Sequence, residues 1–176
     1  MKKILIGLGV VVIIVVGYVW LTYNRLITAN ENIDNQWAQV ETQYQRRFDL
    51  IPGLVESVKG AMKQEQVVFS NITEARTRYA GAQGINQKVA AANQVEGALG
   101  RLLVVMENYP ELKSINTVQT FMAQLEGTEN RISVERKRFN DMVRSFNLIV
   151  KHIPGKWLAS SFGFSERNYF EAAKGS

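Results

Sequence analysis

Residues 116–154 read NTVQTFMAQLEGTENRISVERKRFNDMVRSFNLIVKHIP and hold the clearest pattern in the chain. Val118, Met122, Leu125, Glu129, Ile132, Arg136, Phe139, Val143, Phe146, Val150 and Ile153 follow one another at alternating steps of four and three. That is a heptad seam, a stripe down one side of a helix that must meet other helices, with two charged members. Asn116 is placed to cap its start, and Gln119 three residues on completes a capping box. Pro154 ends it, because proline has no N–H and clashes with the preceding turn.

A stripe this long needs partners, and the sequence upstream supplies them. Val89, Val95, Leu99, Leu102, Val105 and Met106 predict a helix over 85–108, before a break at Pro110. Residues 81–84 form a turn. Leu54, Val58, Met62 or Ala61, Phe69, Ile72, Ala75 and Tyr79 predict another helix over 54–80. Ile33, Trp37, Val40, Tyr44, Phe48 and Ile51 mark one more, which Pro52-Gly53 breaks or kinks. No stretch shows strand alternation bounded by hairpin signals. Four helices with short connections predict an all-α chain built as an antiparallel up-and-down four-helix bundle.

Residues 4–21 are 18 positions without a charge, dominated by Ile, Val and Leu. At about 1.5 Å per residue they match the hydrocarbon thickness of a bilayer. Tyr18 and Trp20 sit at one end, where such rings favour the headgroup level. A cleaved signal peptide is the rival reading. The run is longer than an h-region, and its bulky end offers no small-x-small cleavage site. An uncleaved transmembrane helix is therefore expected. No Gly or Pro lies between Gly17 and Pro52, so this helix is expected to continue into the first bundle helix as one rod. Lys2 and Lys3 face only Arg25 across the span, which favours a cytoplasmic N-terminus and a bundle outside the cytoplasm.

Composition excludes much chemistry. There is no cysteine and one histidine, His152, which is placed to meet the last carbonyls of its helix. Zinc sites of the usual ligand sets are excluded. A di-iron site in a bundle needs Glu-x-x-His pairs, and Ile149 stands three residues before His152. No phosphate loop or nucleophile elbow is present. Catalytic, cofactor-binding and metal residues are therefore expected to be none. Net charge is +5; Lys2 and Lys3 leave +3 on the rest, a mildly basic surface that does not predict nucleic-acid binding. Arg131, Arg136, Lys137, Arg138 and Arg144 read as a solvated helix face, interrupted by Glu135 and Asp141. Arg46, Arg47, Asp49, Glu129 and Arg136 stand where charges are costly unless paired, so they are candidates for interhelical ion pairs that fix register. Trp157, Leu158, Phe162, Phe164, Tyr169 and Phe170 place too much apolar area in 155–176 to leave in water. They are expected to dock on the bundle, on a neighbouring subunit or on the membrane.

Several stretches together resemble the LemA family of bacterial membrane proteins. The densest is Arg46, Arg47, Phe48, Asp49, Leu50, Ile51 and Pro52, continuing through Leu54, Val55, Glu56, Val58, Lys59 and Gly60. Gln36, Trp37, Gln39 and Val40 lead into it. Thr73-Glu74-Ala75-Arg76, Tyr109-Pro110, Leu112-Lys113, Thr128-Glu129-Asn130-Arg131-Ile132, Arg138-Phe139-Asn140-Asp141, Phe162-Gly163-Phe164 and Tyr169-Phe170 follow. The resemblance covers nearly the whole chain. It implies a four-helix bundle behind one transmembrane helix and brings no defined activity. It associates the chain with membrane-protein quality control and with the organisation of membrane compartments. Gln64 stands before Glu65 where many relatives carry His, which further weakens any histidine chemistry. Relatives often continue beyond Tyr169-Phe170, which implies that a C-terminal contact of theirs is missing here.

The chain thus reads as an anchor over 1–21, a bundle over 22–154 and an aromatic-rich segment over 155–176. The expected role is a non-enzymatic scaffold, single-pass in the bacterial inner membrane, that self-associates and organises membrane or membrane proteins. A monomeric adaptor for a partner such as a membrane protease is the alternative. Expected partners are the lipid bilayer, further copies of the chain and a membrane protein.

Overall fold

The computed structural model describes residues 2–171; residue 1 of the expected anchor and 172–176 of the expected C-terminal segment lie outside them. The chain is all-α. Its helices are α1 (Lys2–Lys59), α2 (Gln66–Gly81), α3 (Gly84–Met106), α4 (Asn116–Lys151) and α5 (Gly155–Ser161). A short 3-10 helix, Pro110–Ser114, precedes α4 and buries Leu112. The described residues fall into two compact units. One holds 2–36 with Arg138–Tyr169; the other holds Trp37–Lys137 with 170–171.

The second unit contains four packed helices running up, down, up and down. Contacts along them give the directions. On α1 and α3, Glu41 meets Lys88 and Arg47 meets Glu96, so these two helices run the same way. On α4 the order reverses: Phe121 lies against Gly53 and Glu129 against Arg47. α2 and α3 form a tight helical hairpin across Ala82-Gln83. Val40, Tyr44, Phe48, Ile51, Leu54 and Val58 of α1 are buried with Ile72 and Tyr79 of α2, Val95, Leu99 and Leu102 of α3, and Val118, Leu125 and Ile132 of α4. Phe48 meets the Tyr79 ring edge-on at 4.7 Å, an arrangement that the ring quadrupoles favour.

Of the break or kink expected at Pro52-Gly53, the break does not occur: α1 continues through it to Lys59. Pro52 removes one backbone donor, a cost of about 3 kcal/mol in a helix interior. Continuing keeps Ile51, Leu54 and Val58 on the buried stripe begun by Phe48, and burial of such side chains is worth about 1.5–3 kcal/mol each. The neighbouring Gly53 has a separate reason. A side chain there would run into the Phe121 ring of α4. The helix expected over 54–80 is accordingly two pieces. The chain turns at 60–65 instead, with Met62 buried, and α2 starts only at Gln66.

Two details of α4 differ from expectation. Asn116 is its first helical residue, and the Gln119 side-chain amide donates to the Lys113 carbonyl instead of closing a capping box. The helix stops at Lys151, and after 152–154 the short α5 follows. Within this first unit Leu26 and Ile33 of α1, Phe139, Val143, Phe146 and Val150 of α4, and Ala159 of α5 are buried.

Candidate functional site

Arg47 lies in the core of the second unit, its side chain almost fully buried. It reaches two carboxylates: Nη2 donates to Glu96 Oε2 at 2.9 Å, and Nη1 pairs with Glu129. Three helices thus meet at one guanidinium. Glu129 is an expected member of this group. Glu96 carries no sequence signal for this role, because it falls next to Val95 and outside the apolar stripe of α3. Its side chain is 22% exposed, against 47% for Glu129. The seam position of Glu129 is therefore wetter than its periodicity suggested. Burial raises the Glu96 carboxyl to about 6; Arg47 opposes this and Glu129 adds to it. Burial likewise pushes the nearby Tyr44 phenol well above its ordinary range. Among the described residues Tyr44 Oη, Arg47 Nε and Glu96 Oε1 are buried without a hydrogen-bond partner.

The other candidate charges go elsewhere. Arg46 is exposed. Asp49 is also exposed and accepts from the Gln45 side chain at 2.8 Å. The Arg136 guanidinium sits 4.2 Å from the centre of the Phe170 ring, a cation–π contact. The Arg136 charge also acts on Glu96 and Tyr44, so of the candidate charges Arg46 and Asp49 alone stand apart, at the surface.

The C-terminal aromatics also divide. Phe170 is 5% exposed and stacks at 6.3 Å on both Trp37 and Tyr44, in the core of the second unit. Phe164 meets Phe146 edge-on at 6.2 Å, and Phe162 lies 4.7 Å from Tyr23, both within the first unit. The chain leading to them is held by paired contacts. Asn147 donates to the Arg167 carbonyl and accepts from its N–H, each at 2.8 Å, while the Arg167 guanidinium reaches Asn30 and Asp34. Tyr169 and Trp157 remain exposed.

In the first unit, a groove of about 530 Å³ runs beside the end of the apolar stretch of α1. Tyr18, Leu21 and Arg25 line one side; Leu148, Ile153 and Pro154 line the other. His152 borders it, with Nδ1 2.8 Å from the Leu148 carbonyl. Among the described residues no group of three or more His, Asp or Glu side chains is gathered for a metal ion.

The chain is similar to magnetosome protein MamQ 2 of Paramagnetospirillum magneticum AMB-1, with 26% identity covering 86% of this chain and 65% of that protein. It is equally similar to magnetosome protein MamQ of Magnetospirillum gryphiswaldense MSR-1, at 26% identity over 85% of this chain and 65% of that one. Protein LemA of Metamycoplasma hominis is 23% identical over 77% of this chain and 64% of its own length. The chain thus spans about two-thirds of the length of each. The model of the LemA family matches residues 36–176, most of the chain and nearly all of its helical body. By that match the chain belongs to the LemA family.

Proposed function

We propose that this protein is a non-enzymatic membrane scaffold: residues 4–21 cross the bilayer once, and the helical units act by contact with other molecules. One observation carries the reading. Every large apolar side chain from Ile4 to Val16 is at least half exposed on a helix that, further along, buries a regular stripe. Apolar area of that extent in water is costly, and a bilayer removes the cost. Arg47, Glu96 and Glu129 are engaged with one another, as register-fixing charges would be. The likeness to proteins named for the magnetosome is in keeping with a role in organising membrane.

The proposal places the protein in the bacterial inner membrane with its body outside the cytoplasm, on the charge difference between Lys2-Lys3 and Arg25. It takes copies of the chain to associate, through the span first. A monomeric adaptor for a membrane protein is the second reading. The inward docking of Phe164 and Phe170 favours it, because these rings are not available to a neighbour. Deleting residues 1–21 should move the protein from the carbonate-resistant membrane fraction to the soluble one with helicity retained. Full-length protein in mild detergent should be larger than one copy by light scattering; a strict monomer would select the adaptor. A full-length protein released by carbonate would overturn the anchor.

A further inference from the structure

The geometry points to a second membrane contact, in which 152–154 and α5 rest on the headgroup layer of the bilayer that α1 enters. This inference rests on the anchor proposed above. The first observation is register. The groove at the end of the apolar stretch has Tyr18 and Leu21 on one wall and Ile153 and Pro154 on the other, and Phe162 at the far end of α5 lies against Tyr23. The turn and α5 are therefore level with the last turn of the span and the one beyond it. Tyr18 and Trp20 belong to the amphipathic ring types that settle among headgroups, so their level fixes the level of α5.

The second observation is what α5 shows to its surroundings. Ile153 is 66% exposed and Trp157 64%, the two most exposed large apolar side chains of 116–171. Folding has buried Gly155 and Ala159 of the same short segment and left these outward. Gly155 is held tightly enough that a side chain there would strike the Ile149 carbonyl, so the turn is set by packing.

The third observation is charge. No Asp or Glu occurs from Lys2 to Asn30 or from Met142 to Ser165, whereas Arg25, Arg144, Lys151 and Lys156 all lie in these stretches and are exposed. Glu31, Asp141 and Glu166 border these stretches, and Glu166 is engaged by Lys151 at 2.8 Å. Arg25 on the groove wall opposite Ile153, and Lys156 beside Trp157 in sequence, complement an anionic headgroup layer. Trp157 and Ile153 would seat at the headgroup–acyl boundary, with Arg25 and Lys156 toward lipid phosphates.

The chain lacks cysteine, so single labels can be placed in the full-length protein without altering anything else. Ser160→Cys puts a fluorophore one turn beyond Trp157; Val134→Cys puts one on the second unit; Val12→Cys puts one in the apolar stretch. Each is reconstituted at high dilution in phosphatidylcholine vesicles with and without phosphatidylglycerol, using brominated lipids as quenchers. The label at 160 should be quenched roughly threefold more than that at 134, less than that at 12, and more strongly with phosphatidylglycerol. Adding Ile153→Ser and Trp157→Ser should bring the label at 160 down to the level of 134 with unchanged circular dichroism. Equal quenching at 160 and 134, with strong quenching at 12, overturns the headgroup contact and leaves the anchor standing. Weak quenching at 12 overturns the anchor itself. Self-quenching between labels at 160 that persists on dilution in lipid and is abolished by Ile153→Ser with Trp157→Ser would assign this surface to a second copy instead.

Discussion

Residues 4–21 and 40–58 belong to one helix and follow two different rules. The first stretch is apolar on every side and carries no charge; the second is apolar on one side only, with Glu41, Arg46, Asp49 and Glu56 on the others. Its stripe of Val40, Tyr44, Phe48, Ile51, Leu54 and Val58 is buried to the last member, while the side chains of 4–16 stand exposed. The difference shows which solvent each stretch is built for. Uniform apolarity has no preferred direction, so it suits a surrounding that is the same all round. A stripe has a direction, so it suits partner helices on one side.

The comparison is broken most sharply by one ring. Phe48 is buried against Tyr44 and Tyr79. Phe48→Ala should cost about 3–5 kcal/mol in chemical denaturation of the full-length protein, with membrane attachment unchanged. Val12→Ala should leave the same denaturation curve in place. A comparable loss from both would mean that the apolar stretch also packs within the protein.

The reverse substitution tests the other stretch. Val12→Arg places a charge at the centre of 4–21 and should disfavour insertion by about 3 kcal/mol, seen as a carbonate-soluble fraction. The near-ultraviolet circular dichroism of the body should not change. If attachment is unaffected, the stretch does not cross the hydrocarbon layer.

Most of this architecture was legible because it is periodic. Val118, Leu125, Ile132, Phe139, Val143, Phe146 and Val150 were placed on one stripe by spacing alone, and all are buried. Ile153 continues the same spacing but lies past the end of α4 and is exposed, since a repeat carries no mark of where its helix stops. Pro52 misled for a related reason. The local rule against proline in a helix is real, but the buried stripe on either side outweighs it, and that stripe becomes visible only when its partners are. Glu96 is not legible in the sequence because a charge next to a stripe residue such as Val95 looks like the outer face of a helix. Only the position of Arg47, far away in sequence, makes it an inward one.

Glu96 gives a smaller and more specific effect. Its carboxyl is raised by burial to about 6 in the folded protein, against an ordinary 4.5. Between these values the folded state binds more protons than the unfolded one, so Glu96 contributes stability at low pH that is lost as pH rises through 6. Relative to Glu96→Gln, the natural protein should lose about 1.5 kcal/mol between pH 4.5 and 6.5. Denaturation of both proteins across that window measures the difference, from which titrations elsewhere cancel. A flat difference would place Glu96 in water.

The smallest effect separates the two carboxylates on Arg47. Read as a seam residue, Glu129 ought to be indispensable: removing one partner of a buried ion pair costs about 3–5 kcal/mol, because a charge is left stranded. The structure argues for much less. Half of the Glu129 side chain meets water, which screens its attraction for Arg47. Once it is gone, the guanidinium still has Glu96 at 2.9 Å and the Leu125 carbonyl at 3.4 Å. Glu129 also repels Glu96, so its removal lets that carboxyl ionise more readily. Glu129→Ala should therefore cost less than about 1 kcal/mol at pH 7. It should also shrink the pH-dependent step of Glu96, since one of the groups that raises the Glu96 carboxyl is removed. A loss near 3 kcal/mol with the step unchanged would reverse the ranking, making Glu129 the true counter-charge of Arg47 and Glu96 the bystander.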